Sequence, residues 1–273
     1  LSPLIIAVAP NGARKVKSDH PAIPLTPAEL AREAAACVDA GASMIHLHVR
    51  NANGGHTLDA DLYKAALNAV AAEVGRRIIV QITTEAVGIY QPPEQMACVR
   101  AVKPEAVSLA VREFCPDAAS EAEAAEFFAW VVSSGISPQY ILYSDDDVRR
   151  FADLRRRGVV PGENPFVLYV LGRYTKGQVS DPSDLLPFLS AAGAEFDITP
   201  PWAMCAFGAR EAACALTATA LGGNVRVGFE NNMLLADGSV AAGNSALVDQ
   251  AVAGAALCGR AIADADTVRA ILS

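Results

Sequence analysis

The chain has 273 residues, of which 52% are hydrophobic and 19% charged, a composition that fills a large core and excludes a disordered chain. Its 22 basic and 30 acidic residues give a formal charge of -8, which argues against a general nucleic-acid binder. An anionic ligand met by a local arginine cluster stays compatible with that balance. The six cysteines (Cys37, Cys98, Cys115, Cys205, Cys214 and Cys258) form no CxxC pair and lie mostly in apolar, helix-like stretches. They are read as buried fillers of a reduced, cytoplasmic protein, and neither a signal-peptide pattern nor a membrane-length apolar run is present.

Residues 4–9 (LIIAVA) are apolar on both faces, as a parallel strand covered by helices requires, and end at Pro10-Asn11-Gly12. After a polar loop, Thr26-Pro27-Ala28-Glu29 starts a helix with Thr as N-cap, Pro at N1 and Glu at N3, and Gly41 stops it. The next stretch, 42–50 (ASMIHLHVR), predicts one buried strand with Met44, His46 and His48 on one face and Ile45, Leu47 and Val49 on the other. Two imidazoles side by side at the end of an apolar strand are costly unless something binds them. A metal ion is the simplest partner, and a pair of hydrogen-bonded core histidines is the alternative.

The alternation continues. Helices are predicted over 59–74, 93–102, 120–134, 145–157, 183–191, 210–220 and 244–258. Strands are predicted over 77–83, 106–110, 139–143, 166–171, 202–207 and 224–229, with 195–198 competing for the seventh. Eight strand–helix units at a spacing of roughly 30 residues favour a closed, single-domain (β/α)8 TIM barrel, α/β in class, over an open doubly wound sheet. No Gly-rich dinucleotide turn or P-loop follows the first strand, and no linker-like break divides residues 1–273.

Active sites of such barrels lie at the carboxyl ends of the strands. That directs attention to Asn11, His46, His48, Arg50, Thr83, Thr84, Glu85, Ser108, Glu230 and Asn231. Glu230 at the end of strand eight can complete a His-His-carboxylate site of the catalytic zinc type, a ligand set that also suits iron(II); otherwise it is a surface carboxylate. Arg226, four residues earlier, shares its face and needs an anion, either Glu230 or a substrate acid. Arg50 is expected on the His48 face and in the same service. Thr83 and Thr84 bind a carboxylate or act as caps, with Ser108 a weaker candidate. Arg112, Arg173, Lys176 and Arg210 fall in loops after strands four, six and seven, as a basic rim for phosphates or as solvated charges.

Nearly the whole chain resembles the β-keto acid cleavage enzymes, of the 3-keto-5-aminohexanoate cleavage type. The resemblance rests on Asn11-Gly12-Ala13, Pro24-Leu25-Thr26-Pro27 and Ala40-Gly41-Ala42 leading into His46-Leu47-His48-Val49-Arg50. It continues through Lys103-Pro104-Glu105, Val170-Leu171-Gly172 and Asn224-Val225-Arg226-Val227-Gly228-Phe229-Glu230-Asn231-Asn232 to Asn244-Ser245-Ala246-Leu247-Val248. It implies zinc on His46, His48 and Glu230, and a β-keto acid reacting with acetyl-CoA to give acetoacetate and a new acyl-CoA. It implies Arg226, Thr83 and Ser108 on the carboxylate and developing oxyanions, Arg112, Arg173 and Arg210 toward CoA, and a homo-oligomer, a tetramer. A metal-dependent aldolase or decarboxylase without CoA, and a non-catalytic zinc- and acid-binding barrel, are the alternatives.

The chain departs from the family pattern in four places. Many members carry Asp where this chain has Asn231, and an amide cannot act as a general base, so Glu85 or metal-bound solvent becomes the candidate proton acceptor. Leu109-Ala110-Val111-Arg112 puts a cation at the pocket edge, Arg173-Tyr174-Thr175-Lys176-Gly177 replaces a Gly-rich loop, and Arg14 stands where some relatives have an acid. A cation at Arg14 suits a substrate with a second anionic group.

Overall fold

A computed structural model describes residues 2–272. In chain order it begins with β1 (Ile6–Val8), α1 (Pro27–Ala40), β2 (Met44–Leu47), β3 (Val49–Arg50), β4 (His56–Thr57) and α2 (Ala60–Val74). Then come β5 (Ile79–Ile82), α3 (Pro92–Val102), β6 (Ala106–Ala110), α4 (Val111–Phe114) and α5 (Glu121–Ser133). They are followed by β7 (Ser137–Leu142), α6 (Asp145–Arg156), β8 (Phe166–Leu171) and α7 (Leu185–Glu195). The chain closes with β9 (Trp202–Ala206), α8 (Glu211–Ala220), β10 (Asn224–Val227), α9 (Asn244–Leu257) and α10 (Ala265–Leu272). Eight of the strands are parallel and close a barrel in the order β1-β10-β9-β8-β7-β6-β5-β2, while β3 and β4 pair antiparallel outside it. The expected α/β barrel is therefore the observed one.

Local signals set the elements. The Thr26 hydroxyl accepts from Glu29 N (3.3 Å), the Glu29 carboxylate accepts from Thr26 N (3.0 Å), and Gly41 ends α1 at φ 116°. The competition for the seventh strand resolves for 202–206, because Glu195 closes α7. Period two then sorts the barrel side chains. Ile45, Leu47, Val107, Leu109, Val225 and Val227 pack outward on the helices, while Ile5, Met44, Ile79, Phe166, Leu168 and Ala203 fill the lower interior. Ala263, Ala265 and Val268 join that inner cluster, so α10 and its approach stop the amino-terminal mouth. Leu4 N donates to Ala261 O (2.7 Å) and Ala263 N to Leu4 O (2.9 Å), which fastens this plug to the first strand. Periodicity within the strands does not announce this segment.

Above the apolar layer the inward positions turn polar. Met44 gives way to His46, Ile79 to Gln81 and Thr83, Ala106 to Ser108, and Asn224 to Arg226, all of them buried. Registers set His46 beside Gln81 and Ser108 beside Gln139. The stretch read as one strand over 42–50 is two: β2 stops at Leu47, and Val49–Arg50 turns away to pair with His56–Thr57. Asn51 makes that turn, its Oδ1 accepting from Asn53 N and Gly55 N at 3.0 Å each.

Candidate active site and metal centre

The rings of His46 and His48 lie 5.2 Å apart, nearly perpendicular, at the upper end of β2. Glu230 reaches them from the barrel's closing seam. The chain leaves β10 at Gly228 (φ 135°), where a Cβ would stand 2.4 Å from the Ala9 carbonyl oxygen, and Glu230 N then donates to Ala9 O (3.0 Å). Gly12 (φ 57°) leaves room for the carboxylate, since a Cβ there would meet Glu230 Cγ at 2.6 Å. Glu230 Oε2 ends 3.7 Å from His46 Nε2 and 3.4 Å from His48 Nε2, and one ligand atom from each of the three residues lies within 4.8 Å of the others.

Neighbours set which imidazole nitrogen keeps its lone pair. Gln81 Nε2 donates to Gln139 Oε1 (3.1 Å), which turns Gln81 Oε1 toward His46 Nδ1 at 2.8 Å. Nδ1–H is therefore the donor and Nε2 is bare. His56 Nε2 donates to the Glu85 carbonyl (3.0 Å), so its Nδ1 accepts from His48 Nδ1 (3.4 Å), and the His48 Nε2 lone pair is bare as well. Burial and the Arg226 guanidinium hold His46 down to about 3, and burial with His48 holds His56 down to about 3, so both rings are neutral at physiological pH. Burial opposes ionisation of Glu230, yet the Arg226 guanidinium holds its carboxyl well below the usual carboxylate range.

Two atoms of this cluster, His48 Nε2 and Glu230 Oε2, are buried without a hydrogen-bond partner. Such an orphan costs about 1–3 kcal/mol, and two imidazole nitrogens facing a carboxylate are what a divalent cation satisfies. The donor set fits zinc or iron(II) with coordination positions left open.

Arg226 Nη2 donates to Glu230 Oε1 (3.1 Å) and to Cys205 Sγ (3.3 Å). Burial pushes the Cys205 thiol up to about 11, so it is neutral and Glu230 is the counter-ion of Arg226. Glu230 thus gives one oxygen to Arg226 and keeps the other for the cluster. A pocket opens above. His46, Thr83, Ser108, Arg226 and Glu230 line its polar side, Ala110, Ile141, Val170 and Phe207 its apolar side, with Thr84, Glu85, Glu113, Tyr143 and Arg173 completing the wall. Arg226 Nε and Ser108 Oγ are buried and unpaired, and both residues belong to this wall.

The expected residues divide accordingly. Thr83 Oγ1 accepts from Glu85 N (3.0 Å) and keeps its own proton to donate, whereas Thr84 spends its hydroxyl on Ser108 O (2.8 Å). Glu85 Oε1 is shared by Arg14 (3.3 Å) and Arg173 (3.0 Å). Asn231 is buried with neither amide atom hydrogen-bonded, and it is not part of the cavity wall. Arg112 lies on the Tyr143 ring (4.7 Å) and pairs with Asp147 (2.6 Å), Arg210 pairs with Asp181, and Lys176 is exposed; none of the three lines the cavity. Arg50 follows the turn after Leu47 into β3; its Nη2 donates to the carbonyls of Gly12 and Lys15, while its Nη1 is buried without a partner and does not line the cavity.

Sequence reasoning passed over Gln81, Gln139, His56, Glu113 and Tyr143. Period two from Thr83 marks Gln81, and the Asn-Gly turn before His56 marks a hairpin that returns it to His48. Glu113 gives no such signal, because α4 continues β6 without a loop. Gln95 Nε2 (2.7 Å) and Ala86 N (3.3 Å) donate to its Oε2, and burial raises its carboxyl above the usual range.

A barrel that brings His46, Glu230 and a buried arginine to a cavity at its carboxyl-terminal mouth, with His48 beside them, has the groups to hold a divalent cation next to a small acid. The family described as beta-keto acid cleavage enzyme matches residues 3–273, and the chain belongs to it. It is 32% identical to the 3-keto-5-aminohexanoate cleavage enzyme of Fusobacterium nucleatum over 99% of this chain and 97% of that one. It is 26% identical to the 3-oxoadipate:acetyl-CoA acetyltransferase of Cupriavidus necator, over 99% and 94%. Among solved structures, apo ObcA superposes with a TM-score of 0.75 at 17% identity, covering 92% of this chain, which spans 65% of that structure's length. That likeness shows the shared barrel.

Proposed function

We propose that this chain condenses a β-keto acid with acetyl-CoA and releases acetoacetate and a new acyl-CoA, with zinc held by His46, His48 and Glu230. The observation that carries the reading is the pair of unpartnered buried atoms, His48 Nε2 and Glu230 Oε2, with Glu230, His46 and Arg226 lining the cavity. A divalent ion there supplies Lewis-acid polarisation of the keto oxygen.

The chain's own groups do the rest. Arg226 and Ser108 offer unpaired donors, and Thr83 a free hydroxyl proton, to the substrate carboxylate and to the oxyanions of the acyl transfers. Removal of a C2 proton gives an enolate whose carbon attacks the acetyl thioester and expels the CoA thiolate. The thiolate then adds to the original keto carbon, and cleavage of the C2–C3 bond leaves acyl-CoA and the enolate of acetoacetate, which takes back at C2 the proton removed in the first step. Glu85 is the candidate proton acceptor, its Oε2 4.0 Å from His48 Nδ1, because the amide of Asn231 cannot take a proton. Arg173 at the cavity and Arg112 and Arg210 farther out are the cations for CoA phosphates, on exchange of their present carboxylate partners. The same reading takes the enzyme as a cytoplasmic homotetramer, and its six free cysteines suit a reducing compartment.

A panel of β-keto acids incubated with acetyl-CoA, read by mass for new CoA esters, tests the reaction. Turnover of a keto acid without acetyl-CoA points to an aldolase or decarboxylase instead, and metal binding with no turnover across the panel to a non-catalytic barrel. A His46→Ala/His48→Ala protein loses both zinc and turnover; one that keeps both overturns the ligand assignment.

A further inference from the structure

Glu211 opens α8 just behind the cavity and is almost wholly buried, 2% exposed. Its Oε1 accepts from Gly228 N (3.2 Å) and its Oε2 from Asn232 Nδ2 (3.3 Å). These are the two ends of the turn that carries Glu230. The amide of Asn232 cannot reverse, because its Nδ2 also donates to Leu234 O (2.6 Å) while its Oδ1 accepts from Leu234 N (3.0 Å). Position 211 therefore has to present two acceptors. The backbone completes the tie: Glu211 N donates to Gly208 O (3.1 Å), and Gly208 N to Asn231 O (3.1 Å).

Apart from Gln250, the side chains around the void next to this carboxyl are apolar. Ala212, Ala215, Leu216, Val227 and Leu247 wall a small void next to it, and burial pushes the Glu211 carboxyl up to about 8. A buried acid is a costly way to pack α8 on β10, and a Leu or Met would fill the space. What only a carboxyl supplies here is a matched pair of acceptors for both ends of a five-residue turn. Inside that turn Gly228 holds φ 135° against Ala9, and Glu230 must reach the two histidines.

We infer that Glu211 is a positioning residue for the metal centre: its carboxyl clasps Gly228 and Asn232 and so sets where Glu230 presents its free oxygen. This rests on the reading of His46, His48 and Glu230 as metal ligands. In Glu211→Gln the amide offers one acceptor and one donor, so the bond from Asn232 becomes a donor–donor contact and the far end of the turn is released.

The test uses Co2+ as the probe in the full chain, with affinity from competition against a chromophoric chelator and geometry from the visible absorption bands. The expected result for Glu211→Gln is at least a tenfold weaker Co2+ affinity and altered bands, the scale on which groups supporting ligands act. Asn232→Ala, which removes the far-end bond to Glu211 together with the two bonds between the Asn232 amide and Leu234 and leaves Glu211 in place, is expected to show the same loss in smaller measure, and it decides the matter if Glu211→Gln does not fold. A merely structural role lowers the thermal midpoint of both variants while Co2+ affinity stays within twofold of wild type and the bands are unchanged; that result overturns the inference. Wild-type protein that binds no Co2+ overturns the metal centre itself, so the two failures are distinguishable.

Discussion

Replacing Gln81 with Met isolates the support of one ligand from the ligand itself. Gln81 is buried, is not itself part of the cavity wall, and links His46 Nδ1 (2.8 Å) to Gln139 (3.1 Å). Met keeps the volume and removes both hydrogen bonds, leaving the His46 N–H and Gln139 Oε1 buried without partners. At about 1–3 kcal/mol for each orphan, the metal-free protein loses about 2–6 kcal/mol of stability. The metal centre loses more than packing, because nothing then holds His46 in the tautomer and ring setting that aim Nε2 at Glu230. Loss of such a support weakens metal binding about 10–100-fold, or about 1.4–2.7 kcal/mol. Zinc titration against a chromophoric chelator measures the second quantity, and calorimetric melting with and without zinc measures the first. If Gln81→Met melts lower but binds zinc within twofold of wild type, Gln81 is a packing residue and the tautomer argument fails.

Gly12→Ala places a Cβ 2.6 Å from Glu230 Cγ at a backbone φ of 57°, so it displaces the carboxylate; zinc affinity is expected to fall at least tenfold with circular dichroism unchanged, and wild-type affinity would contradict the placement of Glu230. The Glu211 carboxyl, pushed up to about 8 by burial from an ordinary 4.5, keeps its proton in the folded state over a range where the unfolded chain has lost it. The folded state then binds more protons than the unfolded one, so this group's contribution to stability declines as pH rises from about 4.5 to about 8 and levels off beyond. Melting midpoints of wild type minus Glu211→Gln across that window should fall with pH; a flat difference removes the assignment.

Much of the barrel was legible because its signals are local. Thr26, Glu29 and Gly41 bound α1 whatever packs against it, and period two in the strands brings Met44 and His46, or Ala106 and Ser108, to one side. Glu230 could be joined to the histidines once eight units closed into a ring, since closure makes the first and last strands neighbours. What escaped depends on contacts made across the fold. Val49 and Arg50 continue the alternation of HLHVR, and only pairing with His56–Thr57 reveals that the strand has ended. That pairing brought in His56. The rim arginines look alike as loop cations, but Arg112 meets Asp147 and Arg210 meets Asp181 at sequence separations of 35 and 29, whereas Arg173 reaches the cavity wall. Asn231 follows Glu230 directly, yet the tight turn from Gly228 leaves its side chain off that wall.

The central claim is that the acetyl group of acetyl-CoA ends in acetoacetate while the CoA passes to the acyl part of the keto acid. Incubating the zinc-loaded protein with a β-keto acid and acetyl-CoA carrying 13C in both acetyl carbons follows those atoms directly. Acyl transfer by this route puts both labels in acetoacetate, at its carbonyl and methyl carbons, and none in the acyl group of the new CoA ester. Label recovered only in unreacted acetyl-CoA while the keto acid is consumed would contradict it.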